Sequence, residues 1–296
     1  VEQVCLILAR HVTDALEDGW AAEGVGKQSF DVLVFADNFR LIRLHLSIYR
    51  SVSTYKGRMR LFFLFLAMSA FGGDQDLDGV QDELEQRLIE RFVPRFYVAV
   101  DDCDVAPPEF EKGRAEPVAK SRNGTIYGQV FAASGGLEVH YYHLWAADCG
   151  RGQHPLDAEH VSALLTEEKG EWRARYWYAA AHEDTVCDRG SAAKAAMLYA
   201  EWRGPEVWIS RGKHASFLSE AACKAGCGAD RCDRSVRLKV SQLVNLGEVG
   251  NRMNGSEWVL ASGWNLPEKM GSDFPAELQK ELEPSKRIIS ANPAKP

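Results

Sequence analysis

Two clusters of oxygen and imidazole side chains in this 296-residue chain have spacings that suit metal chemistry. The first, Asp74-Gln-Asp76-Leu-Asp78-Gly79-Val80-Gln-Asp82-Glu-Leu-Glu85, matches D-x-D-x-D-G-x-x-D-x-x-E throughout. Side chains of Asp74, Asp76, Asp78 and Asp82, the backbone carbonyl of Val80 and a bidentate Glu85 can surround one Ca²⁺. Gly79 permits the sharp turn between them. The plainer reading is an acidic helix start, because carboxylates also favour the first turn of a helix. The second cluster is His154, Asp157 and Glu159, with Asp148 just upstream. On a strand, Asp157 and Glu159 point to the same face, and His154 can reach it from the preceding turn. Carboxylates with one imidazole suit Mg²⁺, Mn²⁺ or Ca²⁺ better than a thiolate-loving metal. Solvated carboxylates on a strand edge are the plainer alternative.

The elements that must position these residues read mainly as strands. Leu84, Leu88, Ile89 and Phe92 form an apolar stripe that predicts a helix over Asp82–Phe92. Strands are expected at Arg95–Val100, Glu206–Ser210 and Trp258–Ala261. Hairpins are expected from Thr125–Phe131 with Leu137–Trp145, and from His160–Leu165 with Glu171–Ala180. Ser191–Trp202 has helical composition, and Asp273–Leu282 reads as a late helix. Trp172, Tyr176 and Tyr178 are expected on one core face of their strand. His140 and His143 fall on opposite faces of theirs. The predicted fold is mainly β, a β-sandwich decorated with a few helices and long disulfide-tied loops. His182 and His214 are candidates for a general base. A surface loop and a buried structural histidine are their respective plain readings.

Composition narrows the function classes. The chain is 46% hydrophobic and 26% charged, with a net charge of −7 and no basic run. Nucleic acid and anionic membrane surfaces are therefore disfavoured partners. Cys103, Cys149, Cys187, Cys223, Cys227 and Cys232 form an even set that fits three disulfides in an oxidising compartment. Zinc at Cys223, Cys227 and Cys232 is disfavoured, since the spacing lacks a C-x2-C pair. Lys56, Arg58 and Arg60 precede the apolar run Leu61–Phe71, which then meets Gly72-Gly73. That order predicts a signal peptide at 59–72, a buried core element being the alternative; the run is short for a membrane span. The expected domains are 1–58, an upstream extension or small helical leader; 73–93, calcium loop plus helix; and 94–296, the sandwich. Within the leader, Glu2–Leu16 and Phe39–Val52 have helix-like spacing. The mature protein is expected to be secreted or periplasmic, without a transmembrane segment.

Three stretches resemble a known superfamily. Gly152-Gln-His154-Pro-Leu-Asp157-Ala-Glu159-His160-Val161 is similar to the G-H-R-H-D-W-E segment of the necrosis- and ethylene-inducing-like (NPP1) proteins. It is more similar still to the D-W-E-H-V segment of Vps62-like proteins. Tyr141–Asp148 resembles the aromatic strand before that motif, and Val207–Phe217 the later strand ending in K-H-A-x-F. Ala158 stands where the family has Trp. The resemblance implies a central β-sandwich and a divalent cation in an acidic cavity, with ligands at His154, Asp157, Glu159 and Asp148. It further implies a secreted cation-binding protein that holds a polar headgroup or glycan through the metal, rather than an enzyme. Two rivals remain. One is a metal-dependent hydrolase of phosphodiesters or esters, with His182 or His214 as base. The other is an exported protein whose calcium is structural only.

Overall fold

The computed structural model describes residues 27–36, 40–49, 73–182, 187, 191–227, 230 and 232–283. The chain divides into two units, Val1–Phe71 and Gly72–Pro296. In the first, β1 (Lys27–Ala36) and β2 (Arg40–Tyr49) form an antiparallel ribbon. The helix-like reading of Phe39–Val52 is thereby corrected. Ile42, Leu44, Leu46 and Ile48 recur every second residue, which is the strand period. Glu2–Leu16 and the apolar run before Gly72 lie outside the described residues.

The second unit holds two sheets. In the six-stranded sheet, β6 (Thr125–Ala133), β7 (Gly136–Asp148), β8 (His154–Glu168) and β9 (Glu171–Ala179) form an antiparallel meander. β10 (Ala192–Lys194) flanks it beyond β9, and β14 (Gln242–Asn245) runs parallel beside β6. In the four-stranded sheet the order is β12 (Ser216–Phe217), β11 (Glu206–Ile209), β3 (Arg95–Ala99) and β13 (Ser235–Arg237). β4 (Glu109–Phe110) and β5 (Ala119–Ser121) make a small ribbon. Lys169 and Gly170, both at positive φ, turn β8 into β9, as the twist of a two-residue hairpin requires. The expected hairpins are present, with β8 starting earlier than predicted.

One core lies between the sheets. Phe96, Val98, Val207 and Ile209 meet Val139, Tyr141, Trp145, Val161 and Trp177 there. Helix α1 (Asp82–Phe92) has the predicted bounds and buries Leu88, Ile89 and Phe92 in the same cluster. The acidic loop and its helix are thus built into the core. The other face of the six-stranded sheet is covered by C-terminal segments through Tyr142, Leu144, Trp258, Leu266 and Met270, and by Phe274 against Tyr176 and Tyr178.

Three local expectations change. Ser191–Trp202 is β10 followed by a 3-10 turn, Ala195–Leu198, because pairing with the exposed edge of β9 overrides helical composition. Trp258–Ala261 falls in a 3-10 turn, Glu257–Leu260; the turn buries the neighbours Trp258 and Val259 in one cluster, whereas a strand would send them to opposite faces. Trp172 leaves the face of Tyr176 and Tyr178 and packs against the inter-sheet core. A β-bulge causes this: Leu164 pairs with Tyr176 but Leu165 with Ala174, so the extra Arg175 reverses the alternation. The late helix α3 (Ala276–Leu282) begins after Pro275.

The six late cysteines form Cys103–Cys149, Cys187–Cys227 and Cys223–Cys232. Helix α2 (Glu220–Ala225) carries Cys223. Among the described residues, no helix is long and apolar enough to cross a membrane.

Candidate functional site

The acidic loop runs from Asp74 into the first turn of α1. Gly79, at φ +91°, donates its N–H to Asp74 Oδ2 at 3.2 Å, and Val80 N donates to Asp78 Oδ1 at 2.6 Å. Asp82 holds the loop closed, accepting from Gln75 N at 2.8 Å and Gln75 Nε2 at 2.9 Å. Carboxylate oxygens of Asp74, Asp76 and Asp78 lie within 4.8 Å of one another, as do those of Asp76, Asp82 and Glu85. Asp76 is 2% exposed and Glu85 fully buried. Asp74 Oδ1, both oxygens of Asp76, Asp78 Oδ2 and Glu85 Oε1 are buried without hydrogen-bond donors. Buried carboxylate oxygens without donors are costly unless a cation meets them. Burial, then the neighbouring carboxylates, pushes Asp76 up to about 7 and Glu85 to about 8. This all-oxygen set can hold a metal ion.

The second predicted cluster sits where β7 ends and β8 begins. Asp148 pairs with His154, Trp145 with Asp157 and His143 with Glu159, so Asp157 and Glu159 share a strand face. Each carboxylate has its own cationic partner. Asp148 Oδ2 contacts Lys213 Nζ and lies 3.3 Å from His154 Nε2, while its Oδ1 accepts from Gly150 N at 2.7 Å. Asp157 Oδ2 is 2.7 Å from His214 Nδ1, and Glu159 Oε2 is 3.4 Å from Lys269 Nζ. No three of Asp148, His154, Asp157 and Glu159 bring ligand atoms within 4.8 Å of one another. They form a charged rim in which lysines and histidine supply the positive charge. Sequence reasoning missed Lys213 and Lys269. Lys213 stands beside His214 in the K-H-A-x-F turn, but Lys269 belongs to no motif.

The histidines divide by burial. His214, at φ +52°, is fully buried and stacks on Trp145 with ring centroids 4.1 Å apart. Its Nε2 is 3.6 Å from Asp102 Oδ1, a Coulombic contact rather than a hydrogen bond. Burial alone would lower its pKa, but Asp102 and Asp157 together raise it to about 9. His214 is thus held, fully buried, between two carboxylates. His143 accepts at Nδ1 from Trp145 Nε1 at 2.8 Å, so its Nε2–H donates to Ser216 Oγ at 2.7 Å. Burial keeps it neutral. His182 is partly exposed; its Nε2 lies 3.0 Å from both oxygens of buried Asp230, whose hydrogen bond raises the His182 pKa.

No family model matches the chain, and no curated protein matches it. Solved structures do. NLPPya in complex with mannosamine is 14% identical with a TM-score of 0.42, over 72% of this chain and 97% of that one. Necrosis and Ethylene inducing Protein 2, from the causal agent of cocoa's Witches Broom disease, is 16% identical with a TM-score of 0.33, over 59% and 80%. Non-toxic HaNLP3 is 11% identical with a TM-score of 0.34, over 70% and 88%.

Proposed function

We propose that this is an exported, calcium-stabilised binding protein of NPP1/Vps62-like type. In this reading Asp74, Asp76, Asp78, the Val80 carbonyl, Asp82 and Glu85 hold one Ca²⁺. The rim of Asp148, His154, Asp157 and Glu159 takes a polar headgroup or glycan. The observation that carries the metal assignment is the set of buried carboxylate oxygens without donors at Asp76 and Glu85. Their hardness and number favour Ca²⁺ over a nitrogen- or sulfur-seeking metal. Three disulfides support export. A second cation at the rim would have to displace Lys213 from Asp148 and Lys269 from Glu159. The rim reading therefore rests on its charged side chains and on the sequence resemblance. Alternating acidic and basic groups suit hydroxyl- and phosphate-bearing ligands, through charge-assisted hydrogen bonds.

The test has two arms. Calorimetric titration with Ca²⁺ should give one equivalent for the wild type and none for Asp76→Asn/Glu85→Gln. A panel of glycans and phospholipid headgroups should then find a ligand whose binding falls in Glu159→Gln and Asp148→Asn. Chelator-sensitive turnover of phosphodiesters or esters would replace the binding reading with hydrolysis.

A further inference from the structure

On the sheet face away from the inter-sheet core, a second polar cluster is buried. Glu138 and His140 belong to β7, and His160 and Ser162 to β8; all four are fully buried. His140 pairs opposite Ser162, and Tyr142 opposite His160, so the two imidazoles are diagonal neighbours on one face. Asp273 reaches them from the segment before α3. Its Oδ2 lies 2.8 Å from His160 Nε2 and 3.7 Å from His140 Nδ1, and Ser162 Oγ donates to it. The ligand atoms of His140, His160 and Asp273 lie within 4.8 Å of one another. Glu138 Oε2 is 3.0 Å from the far nitrogen of His140, Nε2, and also accepts from Asp273 N at 2.9 Å. Ser272 Oγ donates to Glu138 Oε1.

We propose that His140, His160 and Asp273 form a site for a zinc-class, first-row dication, separate from the acidic loop. The donor set is two imidazole nitrogens and one carboxylate oxygen, which suits zinc and its neighbours rather than calcium. Glu138 supplies the outer carboxylate that orients a ligating imidazole, fixing the His140 ring with Nδ1 turned toward Asp273. Charge argues the same way. Glu138 and Asp273 are two carboxylates held among buried groups, and one dication balances both. Tyr142 Oη, 3.2 Å from His140 Nδ1, is a further oxygen at the same nitrogen. The ion would tie the C-terminal segment to the sheet, because Asp273 belongs to that segment while both imidazoles belong to the sheet.

The full chain, with disulfides intact, is stripped with chelator and titrated with Co²⁺, read by visible absorption, and then with Zn²⁺. The expected result is one equivalent of Co²⁺ with d–d bands, displaced by Zn²⁺. Asp273→Asn and His160→Gln should abolish it, while Asp76→Asn/Glu85→Gln leaves it intact. Wild type that is folded by circular dichroism yet gives no Co²⁺ or Zn²⁺ signal overturns the site, whatever the variants do. So does Co²⁺ uptake that survives both sheet-cluster variants, or that disappears with the loop variant instead. His140→Gln serves if Asp273→Asn does not fold.

Discussion

Asn245 Nδ2 donates to Glu85 Oε2 at 2.9 Å, joining the last position of the acidic loop to a strand 160 residues later. The loop is therefore completed by the fold rather than by a partner loop. Asn254 Nδ2 in turn donates to the Asn245 carbonyl at 2.8 Å, and Gly247 N to Asn245 Oδ1 at 3.1 Å. Together these bonds hold one of the two Glu85 oxygens and leave Oε1 buried and free for an ion.

Opposite signs are expected for Asp76→Asn with and without calcium. With Ca²⁺ at one hundred times its Kd, the wild type gains about 2.7 kcal/mol that the variant cannot gain. In chelator, the substitution removes a buried carboxylate crowded by Asp78 and Glu248, so it should be neutral or stabilising. Urea denaturation in both buffers checks the reversal. The pH dependence follows from linkage. Asp76 and Glu85 keep protons in the ion-free fold up to about 7 and 8, whereas in the unfolded chain they lose them near ordinary carboxylate values. The native state then binds more protons, and ion-free stability falls as pH rises through that window. The thermal shift produced by Ca²⁺ should consequently be larger at pH 8 than at pH 6.

His214 should give a contribution of the same sign but different origin. Its folded pKa of about 9 lies above the unfolded value, so its stabilisation is complete below the unfolded pKa and is lost as pH rises through about 9. The loss has an upper size of roughly 3 kcal/mol for this fully buried group. Denaturation midpoints at neutral and at alkaline pH should differ less in His214→Gln than in wild type. Equal slopes would show that Asp157 and Asp102 do not hold the proton there.

Gly128 tests how α1 sits on the sheet. A Cβ there would lie 2.6 Å from Ile89 Cδ1 and 2.9 Å from its Cγ1 and Cγ2. Gly128→Ala should cost about 1–3 kcal/mol by overpacking. Ile89→Val in that background should return part of it, giving a measurable coupling in a double-mutant cycle.

Removing Cys103–Cys149 should loosen the rim as well as the chain. The bridge spans 46 residues and lies next to Asp102 and Asp148. A Cys103→Ser/Cys149→Ser variant should lose about 2–5 kcal/mol. Faster hydrogen exchange at Gly150 and Gly212, whose amides donate to Asp148 and Asp102, would show that the loss reaches the rim.

What could be read from the sequence was what is local. The D-x-D-x-D-G loop and the stripe of α1 occupy consecutive residues, and both hairpins are marked by their turns. The disulfide-forming set of cysteines was legible as well. The pairing of β10 and the 3-10 turn at Trp258 were not, because the neighbours that decide them lie far along the chain. The same holds for the rim: the spacing of Asp157 and Glu159 showed a shared face, but nothing in it indicated that Lys213, His214 and Lys269 would arrive to neutralise them. Asp273 met His140 and His160 by the same long-range route.

The bulge at Arg175 marks a point where this protein can change length by one residue. It lets Arg175 leave the ladder and pair with Glu283, while Tyr176, beside it, bonds the same carboxylate. Deleting Arg175 would restore regular pairing and leave Trp172 and Ala174 on the core face, because Leu164 already pairs with Tyr176 and Leu165 with Ala174. The loss would be the contact of Arg175 with Glu283, whereas deleting Arg173 instead would turn Trp172 to the opposite face. Homologous chains should carry the two tryptophans, 172 and 177, either with this spacing and the bulge or one residue closer without it.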